Sequence, residues 1–277
     1  MQTTMNTTNP EIGRIIKTGE IRTNYQDVGS GAPVLLLHGS GPGVSAWVNW
    51  RGVLSSLQDE FRLVAPDLAG FGYSDVPDGI QYSRAVWLRQ IVDFLDALKL
   101  DQVDVVGNSF GGSMALALAI EHPERVRKIV LMGSVGVPFE LTPGLDAVWG
   151  YEPSFENMQS LMRDTFAYDT SLITDQLIES RHVASLRTQA AFSSMFPAPR
   201  QRWVDAMAHG EDAIRGIGHP TLLVHGRDDK VIPLSTSLTL HQLIDDSQVH
   251  IFGRCGHWTQ IEKGPEFCGL LRDFFKD

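Results

Sequence analysis

The apolar residues of this chain fall in short continuous runs, and amphipathic stretches separate them. Runs such as VLLL at 34–37 and VVG at 105–107 do not alternate with polar residues, which is typical of strands buried on both faces. The predicted strands cover residues 32–39, 61–67, 101–109, 127–134, 219–226 and 247–253. The predicted helices cover residues 47–58, 83–100, 111–122, 234–244 and 260–275. Strands that alternate with helices in this way predict an α/β fold with a mostly parallel central sheet.

Two parts of the chain depart from this alternation. The first 30 residues hold short extended pieces with glycine turns, which predict an antiparallel start to the sheet. Residues 136–214 hold prolines, aromatic residues and helical apolar spacing such as ENMQSLMRDTF, with no strong strand. An insertion after a strand projects over the crevice where open α/β sheets bind ligands. We therefore predict a core domain of residues 1–135 and 215–277 that carries a helical lid of residues 136–214.

Length, charge and cysteine content limit the classes of partner. The 277 residues suit one large domain, and the formal net charge of −10 disfavours nucleic acids and anionic membrane surfaces. A small anionic substrate needs only one local positive charge, so the net charge does not exclude one. The N-terminal MQTTMNTTNP lacks the features of a signal peptide, and no apolar run approaches the roughly 20 residues that span a bilayer. We therefore expect a cytoplasmic protein, and its two cysteines do not suffice for a disulfide framework.

The motif Gly107-Asn108-Ser109-Phe110-Gly111 lies between a predicted strand and a predicted helix. It fits the G-x-S-x-G pattern, in which a tight strand-to-helix turn exposes the serine hydroxyl. Side chains at the two glycine positions would collide with the turn, and the helix N-terminus adds unpaired N–H groups and a partial positive charge. An ordinary surface turn could use glycines in the same way, but the strand and helix context favours a catalytic Ser109.

A serine nucleophile needs a base and an acid, which in this architecture follow it along the chain. Asp228 and Asp229 follow one predicted strand, and His257 follows the last predicted strand. All three lie at strand carboxyl ends, and therefore on the same edge of the sheet as Ser109. A histidine accepts the hydroxyl proton at neutral pH, and a buried carboxylate fixes the tautomer of that histidine.

The strand that ends at His38 is followed by a glycine-rich loop, HGSGPG, at residues 38–43. Its glycines leave backbone N–H groups free to stabilise an oxyanion, together with the N–H of Phe110. The loop matches neither the P-loop nor the dinucleotide-binding pattern, and no metal-binding spacing is present in the sequence, so we expect no cofactor and no metal. His38 and His225 each precede a glycine at a strand end, and we interpret both as hydrogen-bonded turn residues.

In these residues the chain resembles the α/β-hydrolase superfamily, and beyond them it resembles the meta-cleavage product hydrolases of bacterial aromatic degradation. The likeness extends through the segments LLHGSGPGVSAWVNW, GNSFGGSMALALAIEHPERV, LMGSVGV, TPGLDAVWGYEPS, FPAPRQRW and GRCGHWTQIE. It covers nearly the whole chain, including the predicted lid. It is strongest to the branch that acts on monocyclic products, the 2-hydroxymuconic semialdehyde hydrolases. This resemblance implies an α/β-hydrolase fold.

The resemblance also implies hydrolysis of a carbon–carbon bond. A 2-hydroxy-6-oxohexa-2,4-dienoate would be converted to its keto tautomer, and water would split it into 2-hydroxypenta-2,4-dienoate and a small carboxylic acid. The implied triad is Ser109, Asp229 and His257, with Asp229 preferred to Asp228 by its place in HGRDDKVIP. At this point it stays open whether Ser109 attacks covalently or polarises the carbonyl while His257 activates water.

The family motifs further assign groups that hold the oxyanion and the substrate. The oxyanion donors would be the backbone N–H groups of Ser40 and Phe110. The residues at the substrate-binding positions are Gly39, Gly41, Asn49, Asn108, Arg181 and Trp258. Arg181 would supply the positive charge that a carboxylate needs, although its sequence context alone favours a solvated helix arginine. The expected partner is a small anionic dienoate, and the expected assembly is a homo-oligomer, a dimer or larger.

Two other functions would use the same residues. A carboxylesterase needs the same triad, and it would turn over simple nitrophenyl esters but no dienoate. A ligand receptor on a hydrolase fold would hold a signal with the triad and would not turn over. A dehalogenase or an epoxide hydrolase is disfavoured, because it needs aspartate where Ser109 stands. We interpret Cys255 as a packing residue, and most methionine and aromatic residues of the predicted lid as its core.

Overall fold

The computed structural model describes residues 9–276, which form an eight-stranded sheet with helices. The strands are β1 Arg14–Thr18, β2 Ile21–Val28, β3 Pro33–Leu37, β4 Arg62–Pro66, β5 Val103–Asn108, β6 Val126–Met132, β7 Thr221–Gly226 and β8 Ser247–Phe252. Their order across the sheet is β1-β2-β4-β3-β5-β6-β7-β8. The β1–β2 and β2–β4 pairs are antiparallel, and all other pairs are parallel. The predictions of a mostly parallel sheet and an antiparallel start are confirmed.

Eleven α-helices accompany these strands in the described part of the chain. They are α1 Ala46–Leu57, α2 Arg84–Ala97, α3 Phe110–Glu121, α4 Pro143–Trp149, α5 Phe155–Ser160, α6 Asp175–Met195, α7 Gln201–Met207, α8 Glu211–Arg215, α9 Ser235–Leu243, α10 Thr259–Glu262 and α11 Gly264–Lys276. Shorter helical turns are the 3₁₀ turns Pro123–Arg125 and Thr170–Leu172 and the π-helical turn Leu161–Phe166. Residues 1–8, on which most of the signal-peptide expectation rests, and residue 277 lie outside the described residues. Within 9–276, no helix is long and apolar enough to cross a membrane.

Both faces of the sheet are buried, which explains the continuous apolar runs in the sequence. Leu36 of β3 belongs to one apolar cluster, which includes Trp50 of α1 and Phe267 of α11. Its neighbours Leu35 and Leu37 belong to the other cluster, which includes residues of α2 and α3. Because successive side chains of a strand point to opposite faces, a strand covered on both sides is apolar at every position.

Along the chain, the helices α4 to α8 follow β6 and precede β7, which are neighbours in the sheet. Residues 136–214 contain no strand. Their buried residues, such as Met158, Phe192 and Phe196, join the apolar cluster of α2 and α3. The segment between β6 and β7 is therefore packed onto the rest of the molecule through an apolar contact.

The predicted helix at 260–275 is two helices in the structure, and this part of the prediction is wrong. Helix α10 ends at Glu262, and α11 begins at Gly264 after Lys263, whose φ is −128° and ψ is 36°. Pro265 lies in the first turn of α11, where its missing N–H group needs no helical partner, whereas in one continuous helix it would remove the bond to Ile261 O, so it favours a new start here. The break lets the short helix α10 follow the loop after β8 closely.

The carboxyl ends of the parallel strands meet along one edge of the sheet. The loops after β3, β5, β7 and β8 therefore lie side by side at this edge. In sequence these loops contain Ser40, Ser109, Asp229 and His257. Topology alone thus brings together groups that are as far as 217 positions apart along the chain (257 minus 40).

Candidate active site

Ser109 occupies the turn between β5 and α3 with φ of 54° and ψ of −115°. Residues other than glycine seldom have positive φ, and such a conformation is strained. The neighbouring strand holds it in place, because Ser109 N–H donates to Met132 O (2.9 Å) and Val135 N–H donates to Ser109 O (3.2 Å). Ser109 lines the cavity at the edge of the sheet.

The two glycines of the motif are required by close approach of backbone to backbone. A Cβ atom on Gly107 would lie 2.5 Å from Gly111 O, and one on Gly111 would lie 2.4 Å from Leu37 O. Neither glycine has positive φ. The structure therefore gives the physical reason for both positions: any side chain would push α3 away from β5 and β3.

Asp229 and His257 form a buried pair beside this turn. His257 Nδ1 lies 2.7 Å from Asp229 Oδ2. The other carboxylate oxygen accepts hydrogen bonds from Val231 N–H (2.7 Å) and Ile232 N–H (3.0 Å). This arrangement places the proton of a neutral His257 on Nδ1 and leaves Nε2 to act as a base. His257 lines the same cavity as Ser109, so the structure brings the three predicted triad residues together.

The surroundings of Asp229 keep it ionised. Burial favours the neutral acid, but the charge of His257 and the hydrogen bonds outweigh burial and hold the pKa of Asp229 below its usual value. His225 Nε2 lies 3.5 Å from Asp229 Oδ2 and 3.1 Å from Ile232 O. Gly133, with φ of 49°, packs against the pair, since a Cβ there would lie 3.1 Å from Asp229 Oδ2. The carboxylate is thus fixed from several sides.

The loop after β3 supplies the groups predicted for the oxyanion hole. It approaches the nucleophile at Gly39, where a Cβ would lie 3.5 Å from Ser109 Cβ. Ser40 Oγ accepts a hydrogen bond from Trp149 Nε1–H (3.0 Å), but Ser40 N–H has no partner within residues 9–276. Phe110 N–H is the first N–H group of α3, so it has no hydrogen-bond acceptor within the helix. Both N–H groups are free to bind an oxygen atom.

Ser109 and His257 line a cavity of about 190 Å³. Its polar lining comprises Gly39, Ser40, Gly41, Asn49, Arg51, Asn108, Ser109, Arg181, His257, Gln260 and Glu262, and of the two arginines Arg51 is exposed whereas Arg181 is buried. Its apolar lining comes largely from the segment between β6 and β7: Leu145, Val148, Met162, Phe166, Ala167, Leu172, Ile173 and Leu177. All six residues predicted to bind substrate, including Trp258, line this cavity. It is smaller than the roughly 300–1,000 Å³ of drug-sized ligand sites, which suits a small substrate.

Arg181 is buried in the structure, and the solvated position that its sequence context favours is wrong. Only 8% of Arg181 is exposed. Its guanidinium donates to Gly43 O (2.9 Å) and Pro42 O (3.2 Å), and it forms no ion pair within the described residues. Burial lowers the pKa of Arg181 to about 10, which leaves it charged at neutral pH. A buried positive charge without an ion-pair partner in the described residues therefore lines a cavity in an acidic protein, with Glu11 near enough to act on it through space.

Glu262 also supports this site, although no pattern in the sequence singles it out. Glu262 Oε2 accepts hydrogen bonds from Tyr168 N–H and Asp169 N–H (both 2.9 Å), while its Oε1 accepts one from Gly256 N–H (2.8 Å). It therefore ties the segment between β6 and β7 to the loop that carries His257. Glu262 lies in the GRCGHWTQIE motif, but only the fold reveals which backbone groups it reaches.

Phe166 and Gln260 are two further contributors that the sequence did not single out as part of the site. Phe166 O accepts a hydrogen bond from His257 N–H (2.8 Å), and its ring stacks on Trp258 with centroids 4.8 Å apart. Gln260 Oε1 and Asn49 Nδ2 are buried without a hydrogen-bond partner in the described structure. Both atoms belong to cavity-lining residues, so a polar ligand would satisfy them.

The aromatic residues of the segment between β6 and β7 divide into two groups. Trp149, Phe192 and Trp203 each pack their rings against Phe196 in an aromatic cluster. Phe166, with Met162, lines the cavity instead. Most of these residues are thus packing residues, as expected from the sequence.

Cys255 lies two positions from His257 but is fully buried, and burial raises the pKa of its thiol to about 12. This agrees with its interpretation as a packing residue. In the part of the chain that the structure describes, no group of three or more His, Cys, Asp or Glu side chains could hold a metal ion.

Comparison with known proteins identifies close relatives. Residues 32–264 match the model of the alpha/beta hydrolase fold family. A 2-hydroxy-6-oxo-2,4-heptadienoate hydrolase of Pseudomonas putida is 59% identical over 272 residues, which cover 98% of each chain. A 2-hydroxymuconate semialdehyde hydrolase of a Pseudomonas species is 56% identical over 97% of this chain and 95% of its own. One similar solved structure is a serine-to-alanine mutant of a meta-cleavage product hydrolase from Pseudomonas fluorescens, complexed with acetates. It is 51% identical in sequence and has a TM-score of 0.95, and the match covers 97% of this chain and 99% of that chain.

Substitution of the two neighbouring aspartates should separate their roles. Asp229→Asn should slow phosphonylation of Ser109 by an organofluorophosphonate at least about a hundredfold, because an amide stabilises the wrong tautomer of His257. Asp228 is the matched control: its side chain is 29% exposed, and its only polar contacts in the described residues are long ones of 3.4 Å to Arg227 and to Cys255 N–H, the latter of which an asparagine oxygen can also accept. Asp228→Asn should change the rate by no more than about twofold, as for surface changes of about 0.5 kcal/mol. Mass spectrometry of the labelled serine gives both rates, and equal losses would contradict the assignment of Asp229.

Proposed function

The chain belongs to the α/β-hydrolase family and, within it, to the meta-cleavage product hydrolases, and we propose that Ser109, His257 and Asp229 cleave a carbon–carbon bond of a 2-hydroxy-6-oxohexa-2,4-dienoate. The chain is a carbon–carbon bond hydrolase that acts on a ring-fission product of aromatic degradation. The observation that carries the assignment of the site is Arg181, a buried guanidinium in the same cavity as the nucleophile and its base. An ordinary esterase substrate would give that charge no partner.

The proposed reaction has two balanced steps. In the first, the 2-hydroxyl loses a proton and C5 gains one, which gives the keto tautomer. In the second, the hydroxyl group of water adds to C6 as the C5–C6 bond breaks; the electron pair of that bond forms the C4=C5 double bond, the C3=C4 double bond shifts to C2=C3, and the 2-oxygen takes the remaining proton of water. The products are 2-hydroxypenta-2,4-dienoate and the carboxylic acid that keeps C6 with its hydrogen or alkyl substituent. His257 Nε2 is the base that takes a proton from Ser109 or from water.

The oxyanion hole serves either route of attack on C6. Negative charge develops on the C6 oxygen both when Ser109 attacks and when water attacks directly. The N–H groups of Ser40 and Phe110 are proposed to donate to this oxygen, and their lack of other partners supports the proposal. Donors that are fixed in advance cost no reorganisation when the charge appears.

Arg181 is proposed to bind the C1 carboxylate of the substrate. A planar guanidinium can grip a carboxylate with two charge-assisted hydrogen bonds. Asn49, Asn108 and Trp258 are proposed to hold the rest of the dienoate, since their side chains line the same cavity. The unpartnered Asn49 Nδ2 supports this role, because the 2-oxygen of the substrate would give it an acceptor.

We assign the core domain to residues 1–135 and 215–277 and the lid to residues 136–214. Much of the apolar lining of the cavity comes from this segment, so it excludes water from the reacting atoms. Its contacts with the catalytic loop, through Glu262 and Phe166, support the same role.

Replacement of the nucleophile tests the proposed reaction. Ser109→Ala should lower product formation by at least about a thousandfold, because removal of a triad nucleophile costs several orders of magnitude. Ketonisation needs proton transfer but no nucleophile, so the dienoate should still bind and its yellow absorbance should still shift. Stopped-flow spectra with the ring-fission product of 3-methylcatechol, combined with assay of the released acid, separate the two steps. Near wild-type acid release would overturn the role of Ser109.

Arg181→Ala should raise KM for the dienoate about ten- to a hundredfold. Charge-assisted bonds contribute roughly 1.5–3 kcal/mol, and each 1.4 kcal/mol is a factor of ten. An uncharged nitrophenyl ester should be affected little. Arg187, which is on the same helix and donates to Gly72 O (3.3 Å) outside the cavity, is the matched control, and Arg187→Ala should leave KM nearly unchanged. Equal losses on both substrates would mean that Arg181 supports the loop at Pro42 and Gly43 and does not bind the carboxylate.

A homo-oligomer in the cytoplasm is the proposed state of the protein. Val183 and Leu186 on α6 are 54% and 49% exposed, which favours cover by another chain. The two buried cysteines, Cys255 and Cys268, are unpaired, which suits a reducing compartment. Sedimentation equilibrium should therefore give a mass of at least twice 30.6 kDa. A single 30.6 kDa species at micromolar concentration would contradict the oligomer.

A further inference from the structure

His38 is a fully buried histidine at the end of β3, immediately before the loop proposed to form half of the oxyanion hole. Its side chain is not part of the cavity lining. Both of its ring nitrogens are nevertheless engaged: Nδ1 lies 2.7 Å from Gly39 O, and Nε2 lies 3.0 Å from Leu68 N. The edge of the Phe71 ring completes its packing, with centroids 5.1 Å apart.

These two contacts determine the tautomer of His38. Leu68 N–H can only donate, so Nε2 must accept and carries no proton. Nδ1 then carries the proton and donates it to Gly39 O. The ring is neutral, since burial lowers the pKa of His38 to about 4. His38 therefore connects the loop after β3 to the loop after β4 with one fixed donor and one fixed acceptor.

The bond to Gly39 O has a geometric consequence for the next residue. The peptide unit between Gly39 and Ser40 is planar and trans, so the Ser40 N–H points opposite to the Gly39 C=O. A donor that fixes the direction of Gly39 O also fixes the direction of Ser40 N–H. The glycine itself offers little resistance to rotation of this plane, because it has wide backbone freedom.

We infer that His38 is a positioning residue of the oxyanion hole, because its Nδ1–H holds the Gly39–Ser40 peptide plane so that Ser40 N–H points at the substrate oxygen. This inference rests on the proposed function of Ser40. The free state of Ser40 N–H agrees with it, since the plane is held through its carbonyl and not through its N–H. A His38 that only stabilised the fold would lower activity in proportion to the stability lost, whichever ring contact was removed.

Two amide substitutions separate the two ring contacts. His38→Asn places an amide nitrogen near the position of Nδ1, so it keeps the donor to Gly39 O and loses the acceptor for Leu68. His38→Gln places its carbonyl oxygen near the position of Nε2, so it keeps the acceptor for Leu68 and loses the donor to Gly39. Both variants remove the same ring from the same buried site, so each serves as the stability control for the other.

We expect His38→Gln to lower kcat about ten- to a hundredfold, less than the 10²–10³ that follows complete loss of one oxyanion donor. Its affinity for a small boronic acid, which adds to Ser109 as a tetrahedral anion, should fall by a similar factor. The Kd for the product 2-hydroxypenta-2,4-dienoate should stay within about twofold of wild type, since the product lacks C6 and the oxygen that the oxyanion hole is proposed to bind. His38→Asn should restore most of kcat and of boronate affinity.

Equal losses in the two variants, or losses in His38→Asn alone, would overturn the inference, and so would full activity in His38→Gln. Thermal denaturation of both variants shows whether a loss of activity is explained by lower stability or by loss of the contact with Gly39. Boronate affinity depends on Ser109 and the oxyanion hole but on no dienoate. If the wild-type enzyme binds the boronic acid but does not cleave the dienoate, the proposed substrate fails while the role of His38 is still measured.

Discussion

The contact of helix α3 with strands β5 and β3 is the constraint on which the rest of the site depends. It forces Ser109 into an unfavourable backbone conformation and is only possible because Gly107 and Gly111 have no side chains. The strain is balanced by hydrogen bonds to β6 and by a sheet that is buried on both faces. A rigid, doubly covered sheet therefore does more than stabilise the fold, because it holds Ser109, the proposed nucleophile, in a strained conformation that a flexible turn would not keep.

The site combines polar groups from the edge of the sheet with apolar groups from the segment between β6 and β7. The sheet edge fixes the triad and the free N–H groups, which must be placed within a fraction of an ångström. The helices between β6 and β7 contribute mainly Leu, Val and Ile side chains, which can change size without moving the triad. Arg181 is the exception, since it is a charge that this segment brings to the cavity, tethered to the carbonyls of Pro42 and Gly43. Apart from Arg181, the polar groups of the cavity and most of its apolar lining thus come from different parts of the chain.

Much of this could be predicted from the sequence, and the reasons for the exceptions are physical. Apolar runs and the G-x-S-x-G motif determine local structure, so the strands and the position of Ser109 follow from nearby residues. The burial of Arg181 does not, because it depends on a fold that carries residue 181 over residues 42 and 43. The roles of Glu262 and Phe166 depend equally on backbone groups far away in the sequence. The break at Lys263 could have been predicted from Pro265.

The attachment of His257, the proposed base, to the helical segment would link access to reactivity. His257 N–H is bound by Phe166 O, and Glu262 binds Gly256, Tyr168 and Asp169 in one cluster. Any opening that displaces Phe166 must also release the backbone of the base. An open enzyme would then admit substrate and water but hold a misaligned proton acceptor, and only closure would complete it. Closure over a substrate and alignment of the proposed base would then be coupled, so that reaction would begin only after bulk water has been excluded.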